Sequence, residues 1–170
     1  MLASFSSTAS NHGGIDLKWG VNMMDVNGDG LVDLVIYAKF DNNTSHPNKT
    51  MTIFMKNKNG EYNIVPVPND AGFTWFDFSL SASTTKITDF KLYKKSNGFF
   101  VVRVHKMANK QNGEDVSDKL PVKLSRYDIN MDQEIPGNPL FYWGLTKTYV
   151  TKEHYGDVDE AFNHFNKVLD

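Results

Sequence analysis

The chain of 170 residues contains no cysteine, so it can form neither a disulfide framework nor a thiolate metal site. No apolar run approaches the length of a transmembrane helix, which predicts that the chain has no membrane span. The net charge is -2 at pH 7 and the lysines are scattered, so the composition indicates no nucleic-acid partner. A chain of this length is long enough to bury one core of its own.

Motifs for covalent or zinc catalysis are also missing. There is no Gly-x-Ser-x-Gly, and the five histidines form neither His-x-His nor His-Glu-x-x-His. Ser83-Thr-Thr-Lys86 does match the Ser-x-x-Lys of serine β-lactamases, in which the serine opens a buried helix and the lysine faces it. Here the tetrapeptide falls between two alternating strands, where we interpret it as a turn. The sequence therefore predicts no catalytic residues and a protein that is not an enzyme.

One loop, from Asp25 to Asp33, has the spacing of a calcium loop with oxygen ligands. The oxygen donors at positions 1, 3, 5, 7 and 9 are the side chains of Asp25, Asn27, Asp29 and Asp33 and the main-chain carbonyl of Leu31. Gly30 stands where such a loop must turn sharply. Carboxylates held this close repel one another, so the loop predicts a structural Ca²⁺ or another hard divalent cation. Ile36 at position 12 and the strand-like flanks exclude a helical EF-hand.

Two alternatives stay open at these acidic segments. Asn-Gly and Asp-Gly pairs form tight turns without any ion, so the Asp25–Asp33 loop is also compatible with an Asx/Gly turn. A weaker copy of this oxygen pattern lies later in the chain. The ligands of a second cation site there would be Asp128, Asn130, Asp132 and Glu134. Gln133 stands there in place of the glycine, which favours a polar exit from a strand into a loop.

Alternating apolar and polar residues predict about eight strands. A first strand is indicated before the loop by the alternation of Ile15, Leu17, Trp19, Val21 and Met23. Trp75–Ser83 alternates strictly at its middle, and Phe99–His105 is at first apolar on both faces, as expected of a central strand between two packed layers. Asn57–Gly60 and Ser96–Gly98 are hairpin turns. The predicted fold is mainly β, an antiparallel β-sandwich.

The carboxyl end predicts a short amphipathic α-helix at about residues 157–169. Asp157–Glu160 has a capping-box pattern, and apolar residues follow at helical spacing: Val158, Ala161, Phe162, Phe165, Val168 and Leu169. Residues 1–14 are small and polar and predict a flexible segment, whereas residues 15–170 read as a single domain. Adjacent aromatics in Trp75-Phe76 and Phe141–Trp143 must point to opposite faces of their strands, with one set in the core and the other under the helix, in an interface or on a ligand surface.

The Asp25–Asp33 loop resembles the calcium loops of FG-GAP/VCBS propeller repeats, but a single clear copy does not build a propeller. Over the whole chain, the size, this loop, the cysteine-free strand-rich body and the segment 128–139 resemble the CarG family of carbapenem intrinsic resistance proteins. The resemblance implies a periplasmic β-sandwich homodimer with a bound cation, a mature form that lacks its signal peptide, and self-immunity to a carbapenem by binding rather than hydrolysis.

The same fold occurs in periplasmic inhibitors of invertebrate-type lysozyme. Those inhibitors present a Ser-Gly-containing loop with an aromatic residue, and the nearest match here, Ser96–Phe99, departs in spacing. A secreted or periplasmic binding module, either a lysozyme inhibitor or a calcium-stabilised adhesion-type domain, is therefore the alternative function.

Overall fold

The computed structural model describes residues 13–41, 43–69, 71–81 and 83–169, and within them it contains ten strands in two antiparallel sheets. The strands are β1 (Gly20–Met24), β2 (Asp33–Phe40), β3 (Asn48–Lys56), β4 (Tyr62–Ile64), β5 (Trp75–Phe76), β6 (Phe78–Ser79), β7 (Lys86–Lys94), β8 (Phe99–Lys106), β9 (Val122–Met131) and β10 (Phe141–Val150). The mainly β, antiparallel fold is confirmed. Apart from Gly13 and Gly14, the segment predicted to be flexible lies outside the described residues.

The first sheet has the order β1-β2-β3-β4, with β5 also paired to β3, and the second has the order β10-β9-β8-β7-β6. The turn Asn57–Gly60 joins β3 to β4, and Ser96–Gly98 joins β7 to β8, as predicted. Strand β8 lies between β7 and β9 and between two packed layers, which explains why its first residues, Phe99–Val102, are apolar on both faces. The inner faces of the two sheets enclose the main core.

The predicted strand Trp75–Ser83 is divided between the two sheets. Its first part, β5, pairs with β3, whereas β6 pairs with β7. Asp77 stands at the crossing and is buried, and its carboxylate accepts the Lys49 N–H at 2.7 Å. The strict alternation continues through this crossing, so periodicity alone did not reveal the break.

Aromatic side chains occupy the centre of the core, and Trp75 contacts several of the other rings. Its ring lies 5.8 Å from that of Trp143 in an edge-on arrangement and 5.4 Å from that of Tyr127. Such pairs contribute about 0.5–1.5 kcal/mol beyond the burial of their area. Phe76 and Tyr142, the immediate neighbours of the two buried tryptophans, are exposed. The prediction that adjacent aromatics face opposite sides is confirmed.

The terminal helix lies at the predicted place, over Val158–Val168, but it is wound as a 3₁₀ helix rather than an α-helix. At its end the Leu169 N–H donates to the Asn166 oxygen three residues back. Asp157 caps the helix by accepting the Asp159 N–H, whereas Glu160 is exposed, so only half of the predicted capping box forms. The apolar side of the helix covers the outer face of the second sheet. No helix among the described residues is long and apolar enough to cross a bilayer.

The first predicted strand is shorter than its pattern suggests, and its apolar side faces outward. Strand β1 begins at Gly20, and Val21 and Met23 are exposed, whereas Asn22 is buried. The Asn22 amide is satisfied there, because it donates to the carbonyl oxygens of Lys18 and Val35. A polar residue with hydrogen-bond partners can thus occupy the inner face and leave its apolar neighbours outside.

Candidate functional sites

Hydrogen bonds to the carboxylates of Asp25 and Asp29 hold the Asp25–Asp33 loop in a compact turn. Asp25 accepts the N–H groups of Gly28, Asp29 and Gly30 at 2.7, 3.0 and 2.8 Å. The Asp29 carboxylate accepts the Leu31 N–H at 2.8 Å and the Asn27 amide at 2.9 Å. These bonds leave oxygen lone pairs on Asp25, Asn27 and Asp29, so this part of the predicted ligand set fits a hard cation.

Asp33 is placed differently from the other predicted ligands. It is fully buried, and its two oxygens accept the N–H groups of Val26 at 2.7 Å and Lys56 at 2.8 Å. Burial raises the pKa of its carboxyl group, the two amide hydrogen bonds act against that rise, and the charges of Asp29 and Asp25 add to it. Asp33 therefore ties the loop to β3. Among the residues described, no three aspartate, glutamate or histidine side chains are grouped to hold a metal ion.

The loop is also locked to the β7–β8 turn, a contact that sequence analysis missed. The Val26 carbonyl oxygen accepts the Phe99 N–H at 2.8 Å. Gly28 lies against the Asn97 side chain so closely that a Cβ atom on it would be 2.0 Å from the amide oxygen. The Ser96–Gly98 turn, which is the nearest match to a lysozyme-inhibitor loop, is therefore held against the predicted cation loop.

The second predicted cation segment is divided by the structure. Asp128 forms ion pairs with Lys95 at 2.6 Å and Arg126 at 2.8 Å and accepts the Thr146 hydroxyl at 2.8 Å. Burial opposes ionisation of Asp128, but the hydrogen bonds from Arg126, Lys95 and Thr146 outweigh it and lower its pKa to about 2. Two positive charges already neutralise this carboxylate.

The remaining residues of that segment lie along the strand end and the loop that follows. The Asn130 amide nitrogen donates to the Asp128 carbonyl oxygen. Asp132 accepts the N–H groups of Glu134 and Ile135 and the amide of Asn138, so it forms an exposed Asx turn. This geometry favours the polar strand-to-loop exit.

A partly buried cluster of two lysines and three aspartates joins both sheets to the terminal helix. Its members are Lys49, Asp77, Lys86, Asp89 and Asp159, and we call it the lysine–aspartate cluster. The Asp89 Oδ2 atom is 2.8 Å from both ammonium nitrogens, and Lys86 Nζ is also 2.7 Å from Asp159 Oδ2. Asp89 has no solvent exposure, so these pairs compensate a charge that would be costly alone.

Within this cluster, the pKa of Asp89 is lowered and the pKa of the neighbouring Asp159 is raised. Burial opposes ionisation of Asp89, but its hydrogen bond with Asp159 and the two lysine charges lower its pKa to about 2. Burial and the proximity of Asp89 raise the pKa of Asp159 to about 6. Protonated Asp159 can donate to Asp89, and its buried Oδ1 atom has no other hydrogen-bond partner among the described residues.

Sequence analysis did not identify this cluster, because its members come from four separate segments. The one local signal was Asp89, an acidic residue between the apolar residues Ile87 and Phe90 in the middle of β7. The cluster surrounds its charged groups with partners and anchors the helix to the sheets. This arrangement is typical of a structural ion-pair network.

The outer face of the first sheet is apolar and uncovered in the described chain. The strand register places these residues on it: Val21, Met23, Leu34, Ile36, Ala38, Phe40, Phe54, Ile64 and Phe76. Met23, Phe40 and Phe76 are 69%, 58% and 48% exposed. A groove of about 680 Å³ runs across this apolar outer face. Exposed apolar surfaces of this kind mark interaction sites.

These features define a two-sheet β-sandwich with a helix covering one outer face and an apolar surface on the other. Residues 17–164 match the family described as carbapenem resistance protein CarG-like, and the chain belongs to that family. A solved structure described as the crystal structure of CarG is 41% identical, with a TM-score of 0.81, and the match covers 88% of this chain and 92% of that one. No curated protein matches the chain significantly. The resemblance seen in the sequence is thus confirmed, and the chain is a carbapenem-resistance-related protein.

Proposed function

We propose that this protein gives its host intrinsic resistance to a carbapenem by binding rather than by hydrolysis, as a homodimer in the periplasm. The observation that carries the proposal is its membership of the CarG-like family. The periplasmic location rests on the resemblance to that family over the Asp25–Asp33 loop and the segment 128–139. A structural cation at Asp25, Asn27 and Asp29 forms part of the proposal.

The placement of the Ser-x-x-Lys tetrapeptide supports binding over hydrolysis. The Ser83 hydroxyl accepts the Thr85 N–H at 3.0 Å within a turn. The Lys86 ammonium is held by Asp89 and Asp159. A nucleophilic serine needs a base within hydrogen-bond reach, and this lysine instead serves the lysine–aspartate cluster.

The apolar outer face supports the homodimer. It extends across β1, β2, β3, β4 and β5, and its exposed aromatic and aliphatic side chains resemble the apolar centre of subunit interfaces. A two-fold axis through this face would pair it with itself, so one apolar patch would be sufficient for both subunits.

Export of the chain to the periplasm of a carbapenem-sensitive bacterium tests the proposal. We expect the exported form to raise the minimal inhibitory concentration, whereas the same chain without an export signal gives no protection. Purified protein incubated with the drug should leave the β-lactam absorbance unchanged. Protection only from the cytoplasm would contradict the location, and catalytic loss of the absorbance would contradict the non-enzymatic mechanism.

A further inference from the structure

Three basic side chains lie together on one face of the second sheet, and none of them forms an ion pair among the described residues. His105 on β8 lies directly opposite Lys123 on β9, and Arg103 lies opposite Ser125. The ion pairs of the described chain involve other cations, namely Lys49, Lys86, Lys95, Arg126 and His164. We call Arg103, His105 and Lys123 the basic row.

The two charged members of the basic row, Arg103 and Lys123, have no counter-charge among the described residues. Burial is the main reason that the pKa of His105 is lowered, and the charges of Arg103 and Lys123 lower it further. His105 is therefore a neutral imidazole near pH 7. By contrast, the half-buried Lys49 and Lys86 of the lysine–aspartate cluster each contact carboxylates. Two uncompensated cations beside a neutral imidazole favour the binding of an anion.

Hydrogen-bond donors around the basic row are arranged for an oxyanion. The buried Thr88 hydroxyl lies 2.6 Å from His105 Nδ1. When Thr88 donates this bond, the neutral imidazole carries its proton on Nε2, which is then available to a ligand. Ser125, which faces Arg103 across the strands, is 7% exposed, and its hydroxyl is a further donor. Guanidinium, ammonium, imidazole and hydroxyl donors together match a carboxylate.

Apolar side chains stand at both ends of the same line across the sheet. Phe78 pairs with Thr88, and Val150 pairs with Lys123. These two side chains are 51% and 47% exposed. A compact molecule with one carboxylate and an apolar body fits the basic row and the apolar side chain at one end of the line, whereas a polyanion requires an extended basic surface.

We propose that Arg103, His105, Lys123 and Ser125 bind the carboxylate of a small apolar acid, and, resting on the proposed function, that this acid is the carbapenem itself. Every carbapenem carries one carboxylate on its bicyclic ring system. The basic row would hold that group, with Val150, which lies opposite Lys123 on the neighbouring strand, beside the rings.

Titration of the full chain with a carbapenem, followed by NMR of the His105 imidazole, tests this site. We expect the drug to raise the His105 pKa, since a bound carboxylate favours the imidazolium. Arg103→Gln and Lys123→Gln should each weaken binding about tenfold, which is the loss of one charge-assisted hydrogen bond. Lys58→Gln, in an exposed turn, is the matched control and should bind normally. The methyl ester of the same drug should bind weakly and leave the His105 pKa unchanged.

A measurement of folding separates this role from a structural one. Because Lys123 forms no ion pair among the described residues, Lys123→Gln should not lower the melting temperature. A marked loss of stability in that variant would overturn the site. Equal binding of drug and ester would also overturn it, while leaving resistance by drug binding intact. If neither probe binds and the exported protein still protects cells, the carboxylate site is wrong and protection acts through another partner.

Discussion

Gly98 of the β7–β8 turn is in van der Waals contact with Val26 of the Asp25–Asp33 loop. Gly98 has a positive φ of 88°, and a Cβ atom on it would lie 2.4 Å from the Val26 carbonyl oxygen. The next residue, Phe99, donates its N–H to that same oxygen at 2.8 Å. The two segments are separated by about 70 residues in sequence, so this contact is a tertiary constraint on the loop.

Gly98→Ala should destabilise the protein by about 3 kcal/mol, because it combines a left-handed backbone with a clash against backbone. Gly60 has nearly the same φ, 86°, but open space around it, so Gly60→Ala is the matched control. That control should cost only about 1–2 kcal/mol, which is the backbone contribution alone. Urea unfolding gives both values. Equal losses in the two variants would mean that the contact with Val26 is loose.

Asp159→Asn should flatten the pH dependence of stability between about pH 4 and pH 6. The folded-state pKa of Asp159 is raised from 3.8 to about 6, so its protonation favours the folded state, and that contribution is lost as pH rises through this window. Asp89 acts in the opposite sense, since its pKa is lowered to about 2 and its contribution is lost only as pH falls below 3.8.

Thermal unfolding across this pH range measures the effect. Glu160→Gln, the exposed neighbour on the same helix, is the control and should retain the wild-type profile. The asparagine amide can donate to Asp89 as the protonated acid does, so Asp159→Asn should also fold normally. A profile unchanged by Asp159→Asn would place the titration in another group.

Calcium should raise the melting temperature if the Asp25–Asp33 loop binds it. A ligand that binds only the folded state stabilises it by about 2.7 kcal/mol at a concentration 100 times its Kd. That corresponds to roughly 5–10 °C in a domain of this size. Asp29→Ala should abolish the rise, whereas Asp41→Ala, which removes another exposed Asx-turn carboxylate, should not. An identical melting curve in EDTA and in calcium would leave the loop as an Asx/Gly turn.

Phe40→Glu should raise the dissociation constant of the proposed homodimer at least about hundredfold. Phe40 is 58% exposed in the single chain, so the subunit itself should tolerate the change. Removing one buried phenylalanine costs about 1.5–3 kcal/mol, and two-fold symmetry counts the substitution twice. Sedimentation equilibrium measures the association, with Met107→Glu, another exposed apolar position, as the control. A wild-type protein that stays monomeric at high concentration would contradict the dimer.

Local features of this chain were predictable because they depend on residues close in sequence. The spacing of aspartates and glycines in Asp25–Asp33 specifies a tight turn whether or not an ion binds. The turns Asn57–Gly60 and Ser96–Gly98 and the apolar spacing of the terminal helix are of the same kind. The prediction of an α-helix there was wrong, because the spacing of apolar residues places a helix but does not distinguish an α-helix from the 3₁₀ helix found.

The sequence by itself determined the turns, the strand periodicity and the terminal helix, because neighbouring residues set backbone torsion angles and the repeat of apolar positions. Only the tertiary structure decided which face of each strand is buried, since a two-residue period defines two faces without saying which one meets a partner. It turned Val21 and Met23 outward and Asp77 inward, and it brought Asp159 to Asp89 across 70 residues. Those placements depend on how the two sheets and the helix pack, and that packing depends on contacts distant in sequence.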